Sequence, residues 1–422
     1  MSQSKLLRST RFLPLFLTQF FGAFNDNVFK NTLMLILAFT AGSALSIDSN
    51  VLLNLAAGLF ILPFLLFSSI AGQISDKLEK SGLVRKVKIA EIFIMAMASI
   101  ALYLEAYYSL LMILFLMGCQ STLFGPVKYA LLPQHLAKGE LVGGNALVEM
   151  ATFVAILLGT IVAGMILELE HHHEICALIV LLLAIIGYVS SLKIPEAPSS
   201  DPDIEVDWNI FRGTYVQIKQ AAEDRVSFKA VIAISWFWFL GASYLTQFPN
   251  FAKNVLSGDT SVVTLLLTMF SLGIGIGSLL VEHLSKTYLT QGLVNAGLAG
   301  LMLFGIGLYM MIPEALGQTH WLSFFINLNL LAISVCILFI GIFGGVFIVP
   351  LYALVQIRAR PEFRARVIAV INIINALFMV MSAVFAMLLL GALQIGIPAF
   401  FGILAILNIV VFWYLNHRVS LH

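Results

Sequence analysis

Asp26 and Lys30 stand four residues apart in the run Phe20 to Asn31, which is otherwise apolar residues and amides. On a helix this spacing sets both on one face. Thr18, Gln19 and Gly22 extend that face, and Asn25, Asn27 and Asn31 flank it. A charged side chain at bilayer depth costs about 2.5–3.5 kcal/mol on insertion scales, so an acid and a base in such a run are candidates for ligand contact by default. Glu149, with Asn145 and Thr152 on its helical stripe, and Lys128, near Gln120 and Phe124, form a second acid–base set. At a rise of about 1.5 Å per residue, Asp26 lies about 21 Å along its helix from Phe12 and Glu149 about 12 Å along its own. Two couples at two depths are therefore expected, Asp26/Lys30 and Lys128/Glu149. Both signs on one polar face can hold a ligand that carries both signs. The alternative is a structural ion pair tying helices together, and for Lys128 and Glu149, on helices joined by a short loop, both readings stand.

Residues of this kind need spanning helices to hold them. Of 422 residues, 60% are hydrophobic and 11% charged, whereas a soluble domain carries roughly 25% charged residues. A spanning helix needs about 20 mostly apolar residues. Such stretches fall near 12–38, 51–74, 87–105, 109–132, 141–167 and 174–192, then near 228–250, 260–282, 291–312, 327–356, 365–390 and 397–416. The expected fold is an all-α polytopic membrane protein of twelve transmembrane helices. The basic residues support that count, because cytoplasmic loops retain Lys and Arg. With the N-terminus inside, every Lys and Arg falls in a cytoplasmic loop or tail except Lys253, which is outside, and Lys30 and Lys128 within spans. Both termini are then cytoplasmic. A net charge of +1 gives no reason to expect a nucleic-acid partner. Cys119, Cys176 and Cys336 are scattered through apolar runs, which is neither a disulfide framework nor a metal cluster.

The one change of composition is 193–227, with Pro195, Pro198 and Pro202, a group of acids, and an amphipathic segment from Trp208 to Glu223. It reads as a cytoplasmic linker lying along the inner membrane surface. The chain then divides into a six-helix half 1–192, the linker 193–227 and a six-helix half 228–422. Short echoes relate the halves: Pro126 to Gln134 resembles Pro350 to Gln356, and Phe21-Gly22-Ala23 resembles Leu240-Gly241-Ala242. Parallel six-span repeats are the layout of the major facilitator fold. The loop after span two, Gly72-Gln73-Ile74-Ser75-Asp76-Lys77 with Gly82 and Arg85-Lys86, resembles that superfamily's loop signature with a longer spacer. Gly72 permits close helix approach, and Asp76 can meet the N-terminus of span eleven near Pro361, where the helix carries roughly half a positive charge. Gly72, Asp76, Lys77, Arg85 and Lys86 are accordingly candidate gating residues.

Spans of the second half lack such charges. They offer an aromatic wall, with Trp236, Trp238, Tyr244 and Phe248 as its candidate residues, and hydroxyls and amides in spans eight and eleven. A charged wall facing an apolar one suits an amphiphile with a charged head and a greasy tail. Gly273, Gly275 and Gly277 alternate in an apolar span and read as helix packing by small residues. His171, His172 and His173 are adjacent, and neighbours cannot all turn to one ion, so no metal is expected. No nucleophile set is readable in the spans, and Glu140 lies five residues after His135, which does not make an acyltransferase His-x4-Asp motif. An enzyme is not expected.

Phe20 to Asn31 resembles the first-span signature of the lysophospholipid transporters of the major facilitator superfamily. Phe124-Gly125-Pro126-Val127-Lys128-Tyr129-Ala130-Leu131-Leu132-Pro133 resembles their fourth-span signature, and Asn145-Ala146-Leu147-Val148-Glu149, leading to Gly159, their fifth. The resemblance implies movement of lysophospholipids, lyso-phosphatidylethanolamine above all, from the outer to the inner leaflet of a bacterial inner membrane by alternating access. It also implies a monomer, with no cofactor beyond a possible coupling ion, H+ or Na+. Some relatives carry the reacylating acyltransferase fused behind the transporter. Here the chain ends at His422 just after span twelve, so a separate acyltransferase is expected downstream. Under the resemblance Asn25, Asp26, Asn27, Lys30, Lys128, Asn145 and Glu149 would bind substrate. A drug or metabolite/proton antiporter of the same fold is the alternative, although span five offers Gly159 and Gly164 without the proline of the antiporter motif.

Overall fold

The computed structural model describes residues 3–38, 49–285, 290–312 and 318–417. Lys286 and Arg418, which the charge pattern assigns to cytoplasmic segments, lie outside the described residues. Among the described residues there is no strand, and twelve helices reach 20 residues or more. They are α1 (Leu13–Ile36), α2 (Ser49–Lys77), α3 (Lys80–Tyr103), α4 (Tyr107–His135), α5 (Leu141–Leu167), α6 (His172–Ser191), α7 (Arg225–Asn254), α8 (Thr260–Leu284), α9 (Thr290–Met310), α10 (Leu328–Arg358), α11 (Arg364–Ala386) and α12 (Ile397–Asn416). Ten of them are long and apolar enough to cross a membrane. The other two, α1 and α3, are of spanning length and carry interior charges.

The largest departure from the expected boundaries is at α3, which starts at Lys80 instead of near residue 87. Glu79 is the reason. It caps the helix, its carboxylate accepting from the backbone N–H groups of Ser81 at 2.9 Å and Gly82 at 2.5 Å. An acidic N-cap satisfies donors that the first turn leaves unpaired. The turn between α2 and α3 therefore shrinks to Leu78 and Glu79. Lys88, which the charge pattern places in a cytoplasmic loop, moves into the helix interior, where it is buried.

The chain forms two compact units. The first comprises residues 1–144, 155–221 and 356–376; the second comprises 145–154, 222–355 and 377–422. In the first unit α2 packs on α4, α3 on α4 and α6, and α1 on α6. The linker forms a helix at Ile210–Glu223. It lays Gly213, Gln217 and Ala221 against the unit, and Gln217 donates to the Ser69 carbonyl and hydroxyl of α2, both at 2.9 Å. Phe211 and Tyr215 point outward, 82% and 68% exposed. In the second unit α12 packs on α7 and α9. There α8 meets α10 through glycines: a Cβ on Gly273 would run into the Leu338 carbonyl and come within 2.9 Å of Gly341 Cα. Without side chains at those points the backbones touch, the packing by small residues that apolar helices favour.

Candidate functional site

The polar residues of α1 meet α3 and α4 inside the first unit, and the centre of that meeting is a pair the sequence reading missed. Lys88 and Glu91, one turn apart on α3, are each 1% exposed and bonded at 2.6 Å. Glu91 also accepts from Asn25 Nδ2 of α1 and Gln120 Nε2 of α4, both at 3.0 Å. The Lys88 ammonium sits 4.8 Å from the centre of the Phe124 ring. Gly22 makes room for it, since a Cβ there would collide with Lys88 Nζ. A buried pair is tolerable only when further hydrogen bonds satisfy the remaining lone pairs, and Asn25 and Gln120 supply them. The i, i+3 spacing of Lys88 and Glu91 was the signal available in the sequence. The basic run from Lys77 to Lys88, which resembles a loop, obscures it.

Asp26 and Lys30 flank this core and are partly exposed. Each makes its hydrogen bond to a neutral side chain and not to the other. Asp26 Oδ2 accepts from Ser121 Oγ of α4 at 2.7 Å. Lys30 Nζ donates to Asn27 Oδ1 at 3.1 Å and lies 5.3 Å from the Phe60 ring centre. Each charge has been intercepted by a closer neutral partner, which leaves both signs presented on one stretch of α1. Ser121 also lies 3.2 Å from Gln120 Oε1, so Asp26, Ser121, Gln120, Glu91 and Lys88 form one continuous polar chain. The amides are structural ties as well. Asn27 donates to the Ala23 carbonyl at 2.8 Å and Asn31 to Thr160 Oγ1 at 2.9 Å. The arrangement can hold an ammonium at Asp26 and an anion at Lys30, with a buried charge pair fixing the background field.

Lys128 holds its ammonium 4.8 Å from the Tyr129 ring centre in the first unit. Asn145 and Glu149 are wholly buried in the second. In that unit Trp236 stacks on Phe239 at 4.9 Å and donates to Asn408 Oδ1 at 2.9 Å, and Trp238, partly exposed, stacks on Phe153 at 6.1 Å. Tyr244 and Phe248 are buried among Phe270 and Phe401. They contribute to interior packing instead of an open wall.

At the α2–α3 turn, Asp76 is fully buried and accepts from the backbone N–H groups of Ala365 at 3.1 Å and Arg366 at 3.2 Å, at the start of α11. Arg366 Nε adds a bond at 3.1 Å. Gly72 admits this approach: a Cβ there would lie 2.7 Å from Ala369 Cβ. Lys77 donates to the Ile204 carbonyl at 2.8 Å and Arg85 to that of Ile194 at 3.1 Å, while Lys86 is exposed. A carboxylate on a helix N-terminus with a guanidinium across it is a contact that can hold two helix ends together.

Comparison with known proteins places these features in context. A family model described as Major Facilitator Superfamily matches residues 15–383. The chain is similar to the lysophospholipid transporter LplT of Escherichia fergusonii, 26% identical over 416 residues, covering 95% of this chain and 94% of the relative. It is similar to that of Salmonella arizonae at 27% over 424 residues, covering 96% of each. Among solved structures, the human organic anion transporter MFSD10 superposes with a TM-score of 0.75 at 14% identity, covering 96% of this chain and 98% of that one. The Escherichia coli fucose:proton symporter FucP superposes at 0.70 and 14%, covering 98% and 100%. At that identity the two structures share the fold alone.

Proposed function

This chain belongs to the major facilitator superfamily, and from that premise we propose that it moves lysophospholipids, lyso-phosphatidylethanolamine foremost, from the outer to the inner leaflet of a bacterial inner membrane by alternating access. One observation carries the reading: Asp26 and Lys30 offer opposite charges side by side on α1, and each gives its hydrogen bond to a neutral group. A lysine ammonium engages phosphate as a point charge, and a carboxylate engages an ammonium. A zwitterionic head with both groups matches that pair, and Asn25 and Asn27 keep the face polar around it. The buried Lys88–Glu91 pair adds no net charge, so a zwitterionic head leaves the site electrically neutral. Similarity to proteins named lysophospholipid transporters over about 95% of the chain supports the same substrate class.

The reading extends to a two-half organisation with both termini cytoplasmic, to a monomer, and to a downstream acyltransferase as partner. Lys128, Asn145 and Glu149 are assigned to the later head-group path, and Trp238, the partly exposed member of the aromatic set, to the acyl chain, with Trp236, Tyr244 and Phe248 backing it from the interior. A proton-coupled drug or metabolite carrier is the second reading, and one observation favours it: two carboxylates, Asp26 and Glu91, lie along one row of polar side chains, with the single Ser121 proton shared between Asp26 and Gln120.

The test is purified protein in liposomes with fluorescent lyso-phosphatidylethanolamine, with and without proton and sodium gradients. Flipping above empty vesicles is expected, with at least a tenfold loss in Asp26→Asn and in Lys30→Ala. Wild-type rates in both variants would overturn the head-group assignment. No flipping under any gradient would favour the second reading.

A further inference from the structure

Residues 192–209, between α6 and the linker helix, run along the α2–α3 turn and are bonded to it along their length. Lys80 N–H donates to the Ala197 carbonyl at 2.9 Å, and Ala197 N–H returns a bond to Glu79 Oε1 at 2.8 Å. Ser200 and Asp201 N–H both donate to the Asp76 carbonyl, at 2.9 and 3.0 Å. Lys80 Nζ, wholly buried, donates to Ser200 Oγ at 2.7 Å. Lys77 holds the Ile204 carbonyl, and Asp207 N–H donates to Gln73 Oε1 at 2.8 Å. These partners all belong to the end of α2, the turn, or the start of α3.

One side chain of this strap reaches further. Asp201 Oδ2 accepts from Arg366 Nη2 at 2.7 Å, while Asp76 takes Arg366 Nε on the same guanidinium. Two carboxylates from the α2 side therefore grip one arginine at the start of α11, and the Arg366 side chain is only 13% exposed.

We propose that Asp201 is the second carboxylate of the latch between the α2–α3 turn and α11, and that the linker strap travels with α2 and α3 as one body, releasing Arg366 when the latch opens. The proposal rests on the alternating-access reading above. Its physical basis is the asymmetry of the bonds: many backbone and lysine bonds hold the strap to α2 and α3, and one charge-assisted pair joins it to α11. When the ends separate, the contact with fewest bonds parts. Asp76 keeps its two backbone donors without Asp201, so loss of Asp201 weakens the latch without abolishing it. A partly exposed ion pair of this kind shifts such an equilibrium by roughly threefold to tenfold.

Two measurements test it in reconstituted protein with Cys119, Cys176 and Cys336 replaced by alanine. The first is a covalent tie. Bridging Asp201→Cys to Arg366→Cys with a short bifunctional thiol reagent is expected to stop lysolipid movement, with recovery on reduction. Tying the linker helix that continues the strap to α2, through Ser69→Cys and Gly213→Cys, where a Cβ on residue 213 lies 2.8 Å from Ser69 Oγ, is expected to leave the rate unchanged. A running 201–366 tie, or a 69–213 tie that stops movement, would overturn the proposal. The second is the distance distribution between spin labels at Ser199→Cys and Glu362→Cys. Short and long populations are expected, with the long one enriched roughly threefold to tenfold by Asp201→Asn. One short distance unaffected by Asp201→Asn would overturn it. This readout needs no substrate, so it still decides the latch if the unmodified protein moves no lysolipid and the functional reading fails.

Discussion

Glu91 is the residue on which the charge arrangement of the first unit turns. Its carboxylate holds Lys88, Asn25 and Gln120 at once, and Gln120 leads on to Ser121 and Asp26. Replacing it with alanine leaves the Lys88 ammonium buried without its counter-charge, a change that costs about 3–5 kcal/mol. Glu91→Ala is therefore expected to lower the melting temperature of the purified protein sharply. Double replacement with apolar residues, Lys88→Met with Glu91→Leu, should recover much of that loss, because no lone charge remains. Equal melting points for wild type and Glu91→Ala would show that the pair carries no structural weight. Asp26 and Lys30 are the contrasting case. Both are partly exposed and neither is hydrogen-bonded to a charge, so their replacement should change transport more than stability. The sequence exposed Asp26 and Lys30 through their depth and spacing but not the partners that keep them apart. Ser121 and Asn27 look ordinary in a sequence, and only the approach of α4 to α1 makes Ser121 a donor to Asp26.

At the scale of elements, the start of α3 is set by Glu79. Burial acts to raise its pKa, but hydrogen bonds from Ser81, Ala197 and Gly82 outweigh that and hold the carboxyl below the usual glutamate value. A carboxyl lowered on folding adds stability that is present above its unfolded pKa and lost as pH falls through the lowered folded value. The wild type should therefore be the more stable near neutral pH, by a cap worth about 0.5–2 kcal/mol, and lose more thermal stability on acidification than Glu79→Ala, so that the two converge as pH falls through the lowered value. Equal stabilities near neutral pH, or a gap that does not shrink in acid, would argue that the carboxylate is not the cap in solution. The same residue explains why the turn was misjudged from sequence: the basic run from Lys77 to Lys88 resembles a loop, and the capping bond that starts the helix at Lys80 shows only in the fold. Other elements were legible. The glycines of α8 were expected to pack a helix, and α10 lies against them. The linker helix was visible as an amphipathic run, but which face it buries was not. Gly213, Gln217 and Ala221 turn inward because Ser69 on α2 offers Gln217 polar partners and leaves no room for a side chain at 213.

At the scale of the molecule, the proposed orientation rests on the basic residues. Under that proposal Lys253 is outside and Lys193 inside, and an impermeant thiol reagent should label Lys253→Cys in intact cells and Lys193→Cys only after the membrane is opened. The reverse pattern would invert the orientation and with it the direction assigned to transport.

The sequence by itself determined a membrane protein of spanning helices, because the need to bury some 20 apolar residues per span is written in composition and periodicity alone. It also marked Asp26, Lys30 and Asp76, since a charge in an apolar run or beside a helix start stands out wherever the helix packs. The tertiary structure decided who answers those charges. Glu91 is tied to Asn25 across 66 positions of chain and Asp76 to Arg366 across 290. Such pairings depend on which helix faces meet, and that is fixed by packing among similar apolar surfaces, where no local periodicity distinguishes one neighbour from another.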